Sequence, residues 1–309
     1  MTKAVVVGGA GFIGSHLVEA LECDGFDVRV VDNLSIGTAS NVTGPVTSVN
    51  AHDATAMESV FGSLGHVDVV FNTAVVPLPV SLDDPKRCFD ENVLITSTLC
   101  ELARKGVFDT LIQFSSSEVY GTLARSPQDE DHPLYGMTPY AASKAASDLL
   151  VQSYARTFGI DYSIIRPFNT IGPRQNMRSY AGLVPATISR LMRGHPAVIH
   201  GDGSFTRDYS YVTDVARAAV DIYRCGRCRG EVINIGSGEE HSVEEVVMTI
   251  AELFDADASV EYTTDRPGDV ARMLAGTAKA YELIGYVPTV SFEEALENTV
   301  RWYIRSGRL

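Results

Sequence analysis

Positive charge is scarce in this chain. Its 25 Lys and Arg face 39 Asp and Glu, a formal net charge of −14. That balance excludes a broad basic face for nucleic acid, while leaving room for an anionic ligand held by a few placed arginines. Long apolar runs are missing as well. No stretch approaches the roughly 20 residues of a membrane span. The opening Met1-Thr2-Lys3, leading into Ala4-Val5-Val6-Val7, reads as a strand and lacks the h-region of a signal peptide. Cysteine is sparse: the five at 23, 88, 100, 225 and 228 form no disulfide framework, which points to a reducing cytoplasm. Cys225-Gly-Arg-Cys228 is a CxxC, half of a metal site or a redox pair, with no second Cys/His pair to complete a metal set. Internal repeats and low-complexity linkers are absent, so any two lobes should share an interface.

At 309 residues, 45% hydrophobic and 21% charged, the chain is globular and long enough for one large α/β domain or two smaller ones. The buried strand Ala4 to Val7 runs into Gly8-Gly-Ala-Gly11-Phe12-Ile13-Gly14, and a helix follows. Glycines there allow a sharp turn, close helix–strand packing and the approach of a pyrophosphate to a helix N-terminus. A second strand, Val28 to Val31, ends at Asp32, whose carboxylate suits the two hydroxyls of an adenosine ribose and repels a 2′-phosphate. The cofactor expected is therefore NAD rather than NADP. Val46 to Val49 reads as a strand leading to His52-Asp53, placed to face the adenine. Val67 to Asn72 is a strand ending in Thr73-Ala74, Pro85 to Lys105 a helix carrying Asn92, and Thr110 to Phe114 the next strand. Such alternation predicts a doubly wound parallel sheet, with ligands beyond the carboxyl ends of its strands.

Directly after Phe114 comes Ser115-Ser116-Ser117-Glu118-Val-Tyr-Gly121, a set of hydroxyls and one carboxylate at that edge. Thr138 and Pro139 then open a long helix that stops at Gly159. It carries Tyr140 and Lys144 four residues apart, on one face. A cation beside a phenol favours phenolate, which would make Tyr140 a base usable near neutral pH. Any helix can carry that pair by chance; its weight comes from the glycine turn and the serine cluster.

Together, Gly8-x-x-Gly11-x-x-Gly14, Asp32, the serine cluster and Tyr140-x-x-x-Lys144 resemble an extended short-chain dehydrogenase/reductase. More narrowly, they resemble the NAD-dependent nucleotide-sugar epimerase/dehydratase family. The likeness spans the chain through Arg166-Pro-Phe-Asn169, Gly172-Pro-Arg174, Arg207-Asp208-Tyr, Val212-x-Asp214, Asn234-Ile-Gly236 and Arg266-Pro-Gly-Asp269.

The resemblance implies a Rossmann domain over residues 1–169 with a return around 206–236. A smaller α/β substrate lobe would be built from 170–205 and 237–309. In the second half, Ser242-x-x-Glu245 is a capping box opening a helix with Val243, Val246, Val247, Ile250 and Leu253 inward, and Ser291-x-x-Glu294 opens the last helix. By resemblance, Tyr140 is the base, Lys144 its support, Ser116 a hydroxyl relay, and Glu118 a further catalytic candidate. Gly8, Gly11, Phe12, Ile13, Gly14, Asp32, Asn33, Asp53, Ala74, Asn92 and Pro167 would line the cofactor together with Tyr140 and Lys144. Ser117, Asn169, Arg207, Arg266 and Asp269 would hold a nucleotide-diphosphate sugar, the arginine forks matching phosphate oxygens.

The reaction implied passes through a transient 4-keto sugar. A UDP-sugar 4-epimerase is favoured, ahead of a 4,6-dehydratase that uses Glu118 as the C5 base and of a UDP-glucuronate decarboxylase. Outside that class stand a non-catalytic NAD-binding sensor and a classical reductase that releases its cofactor each turnover. The resemblance also implies a homodimer paired through the helices carrying Asn92 and Tyr140, although Ala141, Ala142, Ala145 and Ala146 could equally pack on the sheet.

Overall fold

The computed structural model describes residues 1–177, 182–254, 259–264 and 268–307. The first half alternates strand and helix: β1 (Lys3–Val7), α1 (Phe12–Cys23), β2 (Asp27–Val31), β3 (Val46–Thr47), α2 (Ala54–Leu64), β4 (Val67–Asn72), α3 (Leu78–Asp83), α4 (Pro85–Arg104), β5 (Phe108–Phe114), α5 (Pro139–Phe158) and β6 (Asp161–Pro167). Next come β7 (Asn169–Ile171), α6 (Leu183–Met192), β8 (Ala197–His200), β9 (Thr206–Arg207), β10 (Tyr209–Tyr211), α7 (Val212–Arg224) and β11 (Val232–Ile235). The remainder is β12 (His241–Ser242), α8 (Val243–Phe254), β13 (Val260–Thr263), α9 (Ala278–Ile284) and α10 (Phe292–Ser306).

Seven strands form one sheet in the order β11-β6-β5-β4-β1-β2-β3, every neighbouring pair parallel. Apolar residues along each strand feed two cores by alternation. Ala4 and Val6 of β1 pack with Leu17 and Leu21 of α1 and Ala219 of α7, while Val5 and Val7 pack with Phe61 of α2, Leu99 of α4 and Val151 of α5. Each fully buried side chain of this size contributes about 1.5–3 kcal/mol, so both faces must stay covered, as a parallel sheet requires.

Local signals read from the sequence hold at the helix ends. Thr138 Oγ1 accepts the Ala141 amide at 3.1 Å and Gly159 ends α5 at φ +74°. At the start of α8, Ser242 Oγ accepts the Glu245 amide while the Glu245 carboxylate accepts the Ser242 amide, a reciprocal capping box. Two expectations need correcting. The third strand stops at Thr47 instead of Val49, because β2, its only neighbour, ends at Val31 and offers nothing further to pair with. On α8, Leu253 is exposed and Ala251 is buried in its place; Leu253 lies at the edge of the buried face, in the last turn of the helix.

A third core joins Ile171, Val184, Ile188, Val246, Ile250, Leu296 and Val300. Short strands tie it to the sheet. β7 pairs with β10 in parallel, Asn169 opposite Tyr209, and β9 pairs with β12. The chain also returns once more than the resemblance implies: Ala280 of α9 and Tyr286 pack in the core of the large sheet. Among the described residues no helix is long and apolar enough to cross a membrane.

Candidate active site

The glycine turn is built to be filled by something other than side chains. Gly8 lies at φ +81°, and a Cβ there would sit 2.5 Å from the Ala74 nitrogen. A Cβ on Gly14 would lie 2.2 Å from the Gly8 carbonyl oxygen and 2.7 Å from Thr73 Oγ1. The turn, the start of α1 and the end of β4 therefore touch backbone to backbone, with Phe12 and Ile13 opening the helix. Side chains cap α2 (Asp53), α4 (Asp84) and α5 (Thr138), whereas α1 begins at Gly11 with no side-chain cap. Its first-turn amides are left for an anion, and the helix dipole favours negative charge there. A cleft of about 290 Å³ opens beside Gly11 and Phe12, walled by Thr38, Asn41 and Arg174.

Asp32 is 7% exposed, and its two oxygens accept the amides of Leu34 (2.7 Å) and Ala10 (3.0 Å). Burial raises its pKa against those two hydrogen bonds. Each oxygen keeps a lone pair, the pattern a ribose diol needs, and the carboxylate would repel a 2′-phosphate. These residues fit NAD.

Beyond β5 and β6 lies the second cluster. Ser116 caps the short turn Ser117–Tyr120 through the Glu118 amide, and its hydroxyl lies near enough to the Tyr140 phenol to favour the ionised form. Lys144, one turn along α5, donates from Nζ to the Phe114 carbonyl at 2.5 Å. Burial pushes the Tyr140 phenol up; the Ser116 hydroxyl opposes this, and the Glu118, Cys88 and Asp148 charges add to it. Burial also brings Lys144 itself down to about 8, with Asp148 resisting.

Glu118 is half-buried and its pKa is raised, first by burial and then by Asp269, with Arg207 pulling the other way. Arg207 donates to the Thr206 carbonyl at 2.9 Å and lies 3.8 Å from Asp269. Asn169 presents a buried Nδ2 that has no partner among the described residues. It is a donor suited to a ligand oxygen, because leaving it unpaired carries a desolvation cost. Ser117 is buried beside Ser116, and Pro167 ends β6 just before Asn169. Arg266 lies outside the described residues.

Three residues expected at the cofactor also make contacts within the chain. The Asn92 side chain accepts the Val76 amide at 2.7 Å and donates to the Val76 carbonyl and Ser143 Oγ, so it anchors that loop to α5 rather than presenting a free group. Asp53 is exposed and caps α2 through the Ala56 amide. The Asn33 amide is paired with Asn50. Conversely, sequence reasoning passed over Asp148, which is fully buried beneath Lys144 and paired with Arg166. The Lys144–Asp148 spacing of four on one helix was the signal available.

Residues 4–236 match the NAD dependent epimerase/dehydratase family. The chain belongs to that family. Its cofactor is therefore NAD, and it is an enzyme of the epimerase/dehydratase class. It is 35% identical over 315 residues to the UDP-glucose 4-epimerase of Mycolicibacterium smegmatis, covering 97% of this chain and 98% of that one. It is 33% identical over 313 residues to a dTDP-glucose 4,6-dehydratase of Streptomyces griseus, covering 98% and 94%. The UDP-glucose 4-epimerase of Thermotoga maritima, solved with UDP-glucose, superposes with a TM-score of 0.94 at 33% identity over 99% of this chain and all of that one.

Proposed function

We propose that the chain is a UDP-sugar 4-epimerase working in the cytoplasm, with Tyr140, Ser116 and Lys144 as its catalytic groups. The T. maritima enzyme's co-crystallisation with UDP-glucose supports the substrate class. Identity alone does not separate epimerase from dehydratase, since the two kinds of relative stand within two percentage points of each other.

The observation that carries the reading is how the acidic groups near the phenol are used. Dehydration needs one group to remove the C5 proton and a second to protonate the departing C6 oxygen. Glu118 is a candidate for one of these. Asp208 is fully committed, accepting from the Ser237 amide and hydroxyl and from the Gly238 and Ala275 amides. Asp269 faces Arg207, and position 117 is serine. Among the described residues one carboxylate is left, enough to bind a sugar hydroxyl and too few for elimination.

Bound NAD supplies the acceptor that takes hydride from the sugar carbon and returns it. Tyr140 accepts the proton of the C4 hydroxyl and gives it back, and the Ser116 hydroxyl beside it favours the phenolate. Lys144 holds the cofactor ribose and adds positive charge close to the phenol. Asn169 and Arg207 grip the diphosphate, so that the sugar beyond it can present either face once it is a ketone. The exposed Phe89, Leu94, Leu149 and Phe158 on α4 and α5 support pairing of two copies through these helices.

A 4,6-dehydratase is the second reading, favoured by Glu118 lying close enough to Tyr140 to perturb it; a decarboxylase comes third. Incubation with UDP-, dTDP- and GDP-sugars, read by mass and proton NMR, separates the three. An unchanged mass with an inverted C4 signal supports the epimerase. Loss of water or of carbon dioxide overturns it. Glu118→Gln should leave an epimerase largely active and disable a dehydratase.

A further inference from the structure

The CxxC read from the sequence has no place in the sugar chemistry, and its structure is specific. Cys225 ends α7 and caps the short turn Gly226–Cys228, whose closing bond runs from the Cys228 amide to the Cys225 carbonyl at 2.9 Å. A four-residue turn of this kind brings its end Cα atoms within about 7 Å, inside or near the span a disulfide bridges. Both side chains belong to one core cluster, Cys228 within it and Cys225 packed against it. Cys225 is half-buried and reachable from solvent, whereas Cys228 is fully buried.

We propose that Cys225 and Cys228 form a thiol–disulfide exchange site for small-molecule disulfides, with Cys225 attacking and Cys228 resolving. The surroundings divide the two roles. Burial works against a Cys225 thiolate, but the Arg227 amide, the Cys228 thiol, the Arg227 guanidinium and the Cys228 amide together outweigh it and lower its pKa. A neighbouring cation is one usual setting of a reactive cysteine, and here it works against the C-terminal end of α7, whose dipole disfavours a thiolate. Burial, followed by the Cys225 sulfur, raises Cys228 to about 12, which keeps it protonated until a mixed disulfide forms beside it. One contact resists: the Cys225 thiol donates to the Leu283 carbonyl at 3.3 Å, a bond the thiolate gives up.

The exchange balances. The Cys225 thiolate attacks one sulfur of the small disulfide and expels one small thiolate, which takes up the Cys225 proton. The Cys228 sulfur then attacks Cys225, its proton leaves with the second small thiol, and the protein holds one disulfide. Two protein thiols are oxidised and one small disulfide is reduced to two thiols.

The pair sits at the start of β11, on the side of the sheet opposite the catalytic groups, which lie beyond the strands' carboxyl ends. Ser163 near the start of β6 donates to the Cys228 carbonyl. Oxidation and serine substitution should therefore leave turnover close to that of the reduced enzyme.

The test is to incubate the full chain with excess oxidised glutathione near neutral pH, quench in acid, count free thiols and digest with trypsin. Trypsin cuts after Arg227, between the two cysteines, so a disulfide keeps two peptides joined until reduction. The expected result is a fall from five thiols to three, the joined species, and its absence in Cys225→Ser and Cys228→Ser. Five remaining thiols, glutathione persisting on Cys225 of the wild type, or modification confined to the exposed Cys23 would each overturn the proposal. Circular dichroism of both serine variants shows that they fold, so a missing disulfide is not read from an unfolded chain.

Discussion

Arg166 closes on Asp148 from across the β6–α5 interface, its Nε and Nη2 both 2.9 Å from a single carboxylate oxygen, with neither side chain more than 3% exposed. The guanidinium also donates to the Tyr120 hydroxyl at 2.9 Å, and that hydroxyl donates to Asn234 of β11 at 2.6 Å. The chain of bonds thus runs from beneath Lys144 through α5, β6 and β11. Removing one partner of a buried pair leaves an uncompensated charge, which costs about 3–5 kcal/mol. Asp148→Asn should lose stability on that scale in urea unfolding, and Asp148→Leu with Arg166→Met should recover most of it. A loss below about 1 kcal/mol for the single change would show that the pair is not held as described.

Gly14 and Gly11 separate folding from cofactor binding. A methyl on Gly14 meets the Gly8 carbonyl and the Gly9 Cα, both backbone, at 2.2 and 2.8 Å. Gly14→Ala should cost at least about 1–3 kcal/mol, as overpacking does. Gly11 has a single neighbour, the Gly8 oxygen at 3.1 Å, and a φ of −77° that alanine accepts. Gly11→Ala should keep near-normal stability while crowding the helix start, so NAD content of the purified protein falls. Thermal unfolding and cofactor absorbance read the two effects separately; equal stability losses would contradict the packing described.

Lys144 gives a signed dependence on pH. In the folded chain it titrates near about 8, against 10.5 for an unperturbed lysine. Between those values the unfolded chain binds more protons, so stability rises with pH. Below about 8 the contribution is constant and unfavourable. Relative to Lys144→Met, the wild type should therefore gain about 2 kcal/mol between about pH 7.5 and 9.5. Urea unfolding of both proteins at the two pH values measures it, and a flat difference would mean that the ammonium is better solvated than its 4% exposure implies.

Tyr140→Phe removes the proton acceptor and keeps the ring that packs beside Val76 and Val80. Turnover should fall by at least about 10²-fold, the low end of general-base contributions, with NAD content unchanged. Turnover within a few-fold of wild type would remove Tyr140 from its assigned role.

What was legible in the sequence was local. Strand, glycine turn, helix and Asp32 lie within one βαβ unit, and the caps at Thr138, Ser242 and Ser291 are set by residues three apart. The Asp148–Arg166 pair joins positions from two elements, so only its helical half showed, as a spacing of four. Spacing also says which residues share a face and nothing about where their ends point. Lys144 shows it: a spacing of four sets it beside Tyr140, while the structure adds that its ammonium reaches the Phe114 carbonyl. β7 and β10 escaped notice because three-residue strands carry too little periodicity to register.

Those two small strands bear on how substrate preference can change. Their in-register pairing sets Asn169 opposite Tyr209 on one rung, two residues beyond Arg207, although some forty positions of chain part the two halves. On the proposed reading, the loops inserted between them can be lengthened, shortened or exchanged while the rung keeps Asn169 in place and α6 keeps its core contacts. New sugar or base selectivity can thus be bred in that insertion alone, provided both rung halves are transplanted together.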